Sequence, residues 1–208
     1  MDPKKIRNLI FDLGNVIIDL DEDKAFESLD KLYRKDANRD LIDKVFIEFE
    51  CGRVSSDIFI NTLLSQSSQD VQALDIINAW NSMLIGIPEY RLEMLLMLRN
   101  NYNVYMLSNS NPIHIEWIHH YARSVHHEDA FEKKYFDKVY YSHEVGFRKP
   151  MVGIYQHVID DAILTPELSL FMDDKKENVA AAKRLGFKGY EVKAEKDIAE
   201  YLKVEGFY

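Results

Sequence analysis

Six polar residues, far apart along the chain, stand where apolar runs stop. Asp12 follows Leu9-Ile10-Phe11 in "NLIFDLGNV", and Ser108 and Asn109 close "NVYMLSN". Lys149 lies in "GFRKP", and Asp173 and Asp174 close "LSLFMDD". Three carboxylates, a hydroxyl and an ammonium are the set that metal-assisted phosphoryl transfer requires. One or two carboxylates, with waters and a substrate phosphate, make a hard oxygen shell suited to Mg²⁺. Such an ion offsets the repulsion between an anionic nucleophile and an anionic phosphate. A carboxylate that attacks phosphorus forms an aspartyl-phosphate and divides one hard step into two. Ser108 and the backbone amides of Asn109 and Ser110 are suited to holding phosphoryl oxygens, and a helix opening at Pro112 adds its N-terminal dipole. Lys149 offers a compact positive charge beside phosphoryl group and nucleophile.

Those residues meet only if the elements before them are parallel strands. Residues 6–11 form a continuous apolar run, the pattern of a strand buried on both faces. Stretches 103–109, 138–142, 168–174 and 188–193 read the same way. Helical patterns separate them: one begins at Pro88, one at Asn111-Pro112 and one at Pro150. A fourth, "KKENVAAAKRLG", stops at Gly186. Strands alternating with helices predict an α/β fold, a Rossmann-like three-layer core with a mainly parallel sheet. In open sheets of this kind ligands sit beyond the carboxyl ends of the strands, where all six residues fall.

The interval from about 22 to 85 breaks the alternation and holds no convincing strand. Phe26, Leu29, Leu32 and Tyr33 share a helical face, as do Leu41, Val45 and Phe49, and Val71, Leu74, Ile77 and Trp80. We expect a small inserted helical bundle: residues 20–85 as a cap, with 1–19 and 86–208 as a discontinuous core.

A net charge of −9 over 208 residues excludes the basic field of a nucleic-acid or anionic-membrane surface. Cys51 is the single cysteine, so no internal disulfide framework exists. The start is unlike a signal peptide and no apolar run reaches the length of a membrane helix, which sets a cytoplasmic expectation. Composition is silent on oligomeric state; a small phosphorylated molecule is the expected partner.

Four motifs in order, "FDLGNV", "LSNSN", "GFRKP" and "LFMDDKKENVAAA", resemble the haloacid dehalogenase-like hydrolase superfamily, which is mostly phosphatases. Within it the set is most similar to sugar-phosphate phosphatases, glucose-1-phosphate phosphatases among them. The resemblance implies a Mg²⁺-dependent phosphatase with a helical cap. It casts Asp12 as nucleophile and metal ligand, and Gly14 as the donor of a backbone carbonyl to the metal. Ser108 and Asn109 become the phosphate binders and Lys149 the motif-three lysine. Asp174 is a direct metal ligand, with Asp173 as ligand or directly behind one, and Asn178 as an orienting residue. Two alternatives stay open: a dehalogenase, with Asp12 attacking carbon, and a phosphate-binding protein without turnover.

Gly14 departs from the pattern. Many relatives carry an aspartate there as general acid and base, and losing such a group typically costs about 10²–10⁴ in rate. A good leaving group, such as an anomeric phosphate, is one answer; Asp19 or Asp21 acting from the loop is another, although helix capping is the plainer role for both. Singly, each motif residue has a bland role: Asp12 or Asp173-Asp174 as turn or helix caps, Lys149 as a surface lysine. Their joint occurrence outweighs it. Five histidines between 114 and 127 have no metal-binding spacing, and residues 122–134 read as a surface excursion. Cys51 reads as a packed side chain, Gly52 as a helix end, Ser55 or Ser56 as a cap, and Arg53 as solvated or facing the cleft.

Overall fold

The computed structural model describes residues 2–208. In chain order it contains β1 (Asn8–Phe11), β2 (Asp19–Leu20), α1 (Glu22–Leu32), α2 (Arg39–Glu50), α3 (Ser56–Gln66), α4 (Ala73–Asn81), β3 (Leu84–Gly86), α5 (Glu89–Leu98) and β4 (Asn103–Ser108). There follow α6 (Pro112–His126), α7 (Phe131–Tyr135), β5 (Lys138–Tyr141), α8 (Ser142–Val145), α9 (Val152–Asp161), β6 (Ser169–Asp173), α10 (Lys176–Arg184), β7 (Lys188–Glu191) and α11 (Ile198–Val204).

Five strands form a parallel sheet in the order β5-β4-β1-β6-β7. The side-chain period of two sends alternate residues to opposite layers. Leu9, Phe11, Val104, Met106, Leu170 and Met172 join the core that includes Leu92, Leu95 and Leu98 of α5. Ile10, Tyr105, Leu107 and Phe171 pack instead with Ile154, Tyr155 and Val158 of α9 and Ala181 and Ala182 of α10. The three-layer expectation holds because each central strand is apolar on both sides. The register aligns Phe11 with Met106 and with Met172, so the residues after them reach one edge together.

Helices α1–α4 pack on one another through rings set among aliphatic chains such as Leu29, Ile42, Leu63 and Ile76. Phe49 stacks on Phe59 with centroids 4.2 Å apart, and Phe46 sits 4.8 Å from Trp80. Burying each such ring contributes about 1.5–3 kcal/mol.

Three details differ from the sequence expectations. Leu84–Gly86 is a strand inside the interval read as purely helical, pairing antiparallel with Asp19–Leu20 across a register shift. Segments of two and three residues carry no legible alternation. The helical faces bury Leu29, Tyr33, Val45, Phe49 and Trp80 as expected, but Phe26 and Leu74 are 47% and 64% exposed, while Ala25 and Ile76 are fully buried. Finally, residues 122–134 lie largely at the surface as expected, but Ala122 ends the buried stripe of α6 and Phe131 anchors the segment in the core.

Candidate active site

β1 ends at Phe11, and the next backbone amide, on Asp12, still donates to Met172 at 2.8 Å, so the sheet itself aims this carboxyl. Its Oδ1 accepts from the Leu13 amide at 2.7 Å and lies 2.7 Å from Lys149 Nζ. The chain then turns tightly: Ile17 and Ile18 both donate to the Leu13 carbonyl, and Asn15 donates to Ile18. The Gly14 carbonyl is left outside these bonds.

Lys149 is almost fully enclosed, 1% exposed. Its Nζ donates to the Leu107 carbonyl at 2.9 Å and to Asp173 Oδ2 at 2.7 Å. Asn109 fixes the loop that carries it: Asn109 Nδ2 donates to the Lys149 carbonyl (3.0 Å), and the Lys149 amide donates to Asn109 Oδ1 (2.8 Å). The Asn109 side chain is therefore committed to that loop. The Ser110 amide, expected to hold phosphate, is also taken, by Ser142 Oγ at 2.9 Å. Ser108 is buried but lines the cavity, and its hydroxyl has only a 3.3 Å contact to the Asn109 carbonyl.

At the end of β6 the two acids have different surroundings. Asp173 is fully enclosed, and both its oxygens are used by Lys149, the Lys175 amide and the Asn178 side chain, at 2.7–3.1 Å. Asp174 faces the cavity and accepts from Asn15 Nδ2 at 3.1 Å. Oxygens of Asp12, Asp173 and Asp174 fall within 4.8 Å of one another. With Asp173 saturated, Asp12 Oδ2 and Asp174 Oδ1 remain without hydrogen-bond partners among the described residues. Two anionic oxygens facing each other in a buried site call for a cation, and an all-oxygen donor set suits a hard one. The residues fit Mg²⁺. Burial pushes the Asp12 carboxyl up to about 7, opposed by Lys149 and assisted by Asp173. Burial also raises Asp174, with Asn15 pulling the other way.

The cavity over these groups has a volume of about 190 Å³. Its floor includes Asp12, Gly14, Ser108, Lys149 and Asp174; its upper wall includes Phe26, Glu50 and Trp80 from the helical layer. Two ion pairs cross between the layers, Glu22–Lys175 at 2.7 Å and Glu50–Arg148 at 3.0 Å. Sequence reasoning singled out none of these four side chains, because nothing in a helix pattern says which face docks onto a distant strand end. Arg148 had a signal, its place beside Lys149 in "GFRKP".

Other expectations resolve plainly. Asp19 pairs with Arg91 at 2.8 Å and Asp21 caps α1 through the Lys24 amide, so neither serves the cavity. Arg53 pairs with Glu48 at 3.0 Å, away from the cleft. Cys51 is buried, and Ser55 caps α3. His114 lines the cavity with its ring stacked 4.6 Å from Trp80, and burial lowers it to about 4.

Comparison with known proteins is specific. The haloacid dehalogenase-like hydrolase model matches residues 6–186. A D-ribitol-5-phosphate phosphatase from Bacteroides thetaiotaomicron is 34% identical over 191 residues, covering 89% of this chain and 91% of that protein. Among solved structures, a HAD family enzyme from the same species, in complex with magnesium and inorganic phosphate, is 34% identical. The match covers 94% of this chain and 98% of that one, with a TM-score of 0.84. A predicted HAD-like family hydrolase from Porphyromonas gingivalis is 29% identical over 96% of this chain and 98% of that one, TM-score 0.81.

Proposed function

We propose, from the premise that this chain belongs to the haloacid dehalogenase-like hydrolase family, that it is a Mg²⁺-dependent phosphatase of small phosphorylated metabolites, with a sugar or sugar-alcohol phosphate as substrate. The observation that carries the reading is the triad of Asp12, Asp174 and Lys149 at the floor of one cavity. Two oxygens are without partners there, and one buried ammonium stands beside the nucleophile.

In this reading Asp12 attacks phosphorus through one carboxylate oxygen and would offer the other to the metal. Asp12, Asp174 and the Gly14 carbonyl would hold the metal, which when bound would supply positive charge to offset that of the phosphoryl oxygens. Lys149 Nζ faces both Asp12 and the phosphoryl group, and Ser108 Oγ is the side-chain donor left for a phosphoryl oxygen. Asn109 acts by holding the Lys149 loop. Asp173, with every oxygen used, works through Lys149 and Asn178 rather than by touching the metal. Water then cleaves the aspartyl-phosphate. The helical layer, residues 20–85, is the cap over the core of 1–19 and 86–208, and its wall of Phe26, Trp80 and Glu50 sets substrate choice. Attack on carbon, the dehalogenase alternative, needs no cation and leaves the Asp12–Asp174 pair without a purpose.

No helix among the described residues is long and apolar enough to cross a membrane. A cytoplasmic setting belongs to the same reading.

The test is phosphate release from a panel of sugar and sugar-alcohol phosphates, with Mg²⁺ and with EDTA, beside Asp12→Asn. Metal-dependent release that the variant loses while folded supports the reading. Silence across the panel from folded protein overturns it.

A further inference from the structure

The glycine at position 14 leaves the leaving-group oxygen without a proton donor on the floor of the cavity. A primary-alcohol phosphate, such as the one in the name of the Bacteroides thetaiotaomicron relative, departs as a strongly basic alkoxide and needs one. Four carboxyls line the cavity: Asp12, Asp174, Glu22 and Glu50. The first two belong to nucleophile and metal. Glu22 sits at the mouth, 41% exposed and tied to Lys175.

Glu50 is different. It is the last residue of α2, and the helix end that carries it is fixed on both sides. Phe49 stacks on Phe59 within the helical layer. Gly52, at φ +65°, lies so close to α8 that an added Cβ would come within 1.9 Å of the His143 carbonyl oxygen. Only glycine permits that approach in that conformation. The carboxyl is 22% exposed, and Glu50 lines the same cavity as Asp12, from the helical layer. Arg148 Nε lies 3.0 Å from Glu50 Oε2 yet makes no hydrogen bond. The guanidinium holds the carboxyl at the cavity wall and stabilises the carboxylate that remains after a proton is given up.

We propose that Glu50, lining the cavity from the helical layer, is the general acid and base that replaces the missing acid at position 14. The proposal rests on the phosphatase reading. In the first step a carboxylate oxygen of Asp12 bonds to phosphorus, the P–O bond to the alcohol breaks, and the alkoxide takes the Glu50 proton. In the second, water bonds to phosphorus, its proton goes to the Glu50 carboxylate, and the Asp12–phosphorus bond breaks. The products are the alcohol, inorganic phosphate and the starting enzyme. Burial raises the Glu50 carboxyl above its ordinary range. Arg148, Lys175 and Lys149 pull it down, and Glu22 pushes it up. The packed α8 adds His143 and Glu144.

The experiment is Glu50→Gln, a substitution of nearly equal shape, assayed with Mg²⁺ on primary-alkyl phosphates including D-ribitol 5-phosphate, and on p-nitrophenyl phosphate. The p-nitrophenolate ion is a weak base and leaves unprotonated. We expect the variant to lose about 10²–10⁴ in rate on the alkyl phosphate, together with the basic limb of the pH profile. With p-nitrophenyl phosphate we expect a rapid burst of p-nitrophenol, near one per enzyme, followed by slow phosphate release. Glu50→Asp should recover part of the alkyl rate. Equal loss of alkyl turnover and burst, or full alkyl turnover, overturns the role of Glu50 and leaves the phosphatase reading standing. A wild-type protein that releases phosphate from neither substrate removes both.

Discussion

Lys149 Nζ lies 2.7 Å from Asp173 Oδ2, and the two side chains are 1% and 0% exposed. A charge pair so enclosed is costly to break, because each partner left alone keeps its desolvation penalty without compensation. Lys149→Met should therefore abolish phosphate release and destabilise the fold by about 3–5 kcal/mol. Adding Asp173→Asn removes the stranded carboxylate, and much of the stability should return while activity stays lost. Denaturant unfolding of the two single variants and the double variant checks this. Additive losses would show that Asp173 is not held by Lys149.

The partnerless oxygens of Asp12 and Asp174 make a second prediction. Mg²⁺ at about 100 times its dissociation constant should stabilise the native state by about 2.7 kcal/mol. In a chain of this length that corresponds to a rise in Tm of roughly 5–10 °C. Asp174→Asn should lose most of that rise. Asp173→Asn should keep more of it, although its metal-free Tm starts lower. A rise lost with Asp173→Asn and kept with Asp174→Asn would reverse the two assignments.

Much of the floor of the site is legible in the sequence, and its ceiling is not. Asp12, Ser108 and Asp173 each end a strand whose apolar run announces it, and parallel strands bring their ends together by topology alone. Glu50 ends a helix, and a helix can dock with any of its faces. The stripe read through Leu74, Ile77 and Trp80 takes in the buried Trp80 but misses the buried Ile76 and Ala79, an error that 3.6 residues per turn makes easy in a short helix. Hydrogen-bond commitments are equally invisible. Nothing in "LSNSN" says that the Ser110 amide goes to Ser142, or that the Asn109 side chain holds Lys149 in place.

His114 joins the two layers. Its backbone amide takes the Asn111 cap, and its ring stacks on Trp80 and contacts that residue's carbonyl through Nε2 at 3.3 Å. Unfolded, the ring takes a proton near 6.5; folded, burial delays this to about 4. Between those values the unfolded chain binds more protons, so the contribution is complete above 6.5 and is lost as pH falls toward 4. The full loss is on the order of 3 kcal/mol. His114→Gln should flatten the fall of unfolding free energy between pH 6.5 and 4.5 relative to wild type. Parallel curves would mean that the ring is already solvated in the native state.

The glycine at 14 is matched by Leu20. A Cβ added at Gly14 would meet Leu20 Cδ1 at 2.5 Å, so the volume an aspartate needs is taken by the end of one flexible side chain. The backbone itself raises no objection, since Gly14 is not among the residues of positive φ. Gly14→Asp alone should therefore fold and add little activity, with its carboxyl turned aside by the leucine methyl. Combined with Leu20→Ala, the new carboxyl gains room beside Asp12. In a Glu50→Gln background the pair should then raise turnover of a primary-alkyl phosphate at least about tenfold, the low end of what a placed acid contributes. Because p-nitrophenolate leaves without a proton, its burst reports whether the triple variant still forms the aspartyl-phosphate. A preserved burst with no gain on the alkyl phosphate would mean that position 14 cannot reach the leaving oxygen in this chain. A gain would show that Gly14 and Glu50 are two solutions to one proton transfer, made from the two layers that line the same cavity.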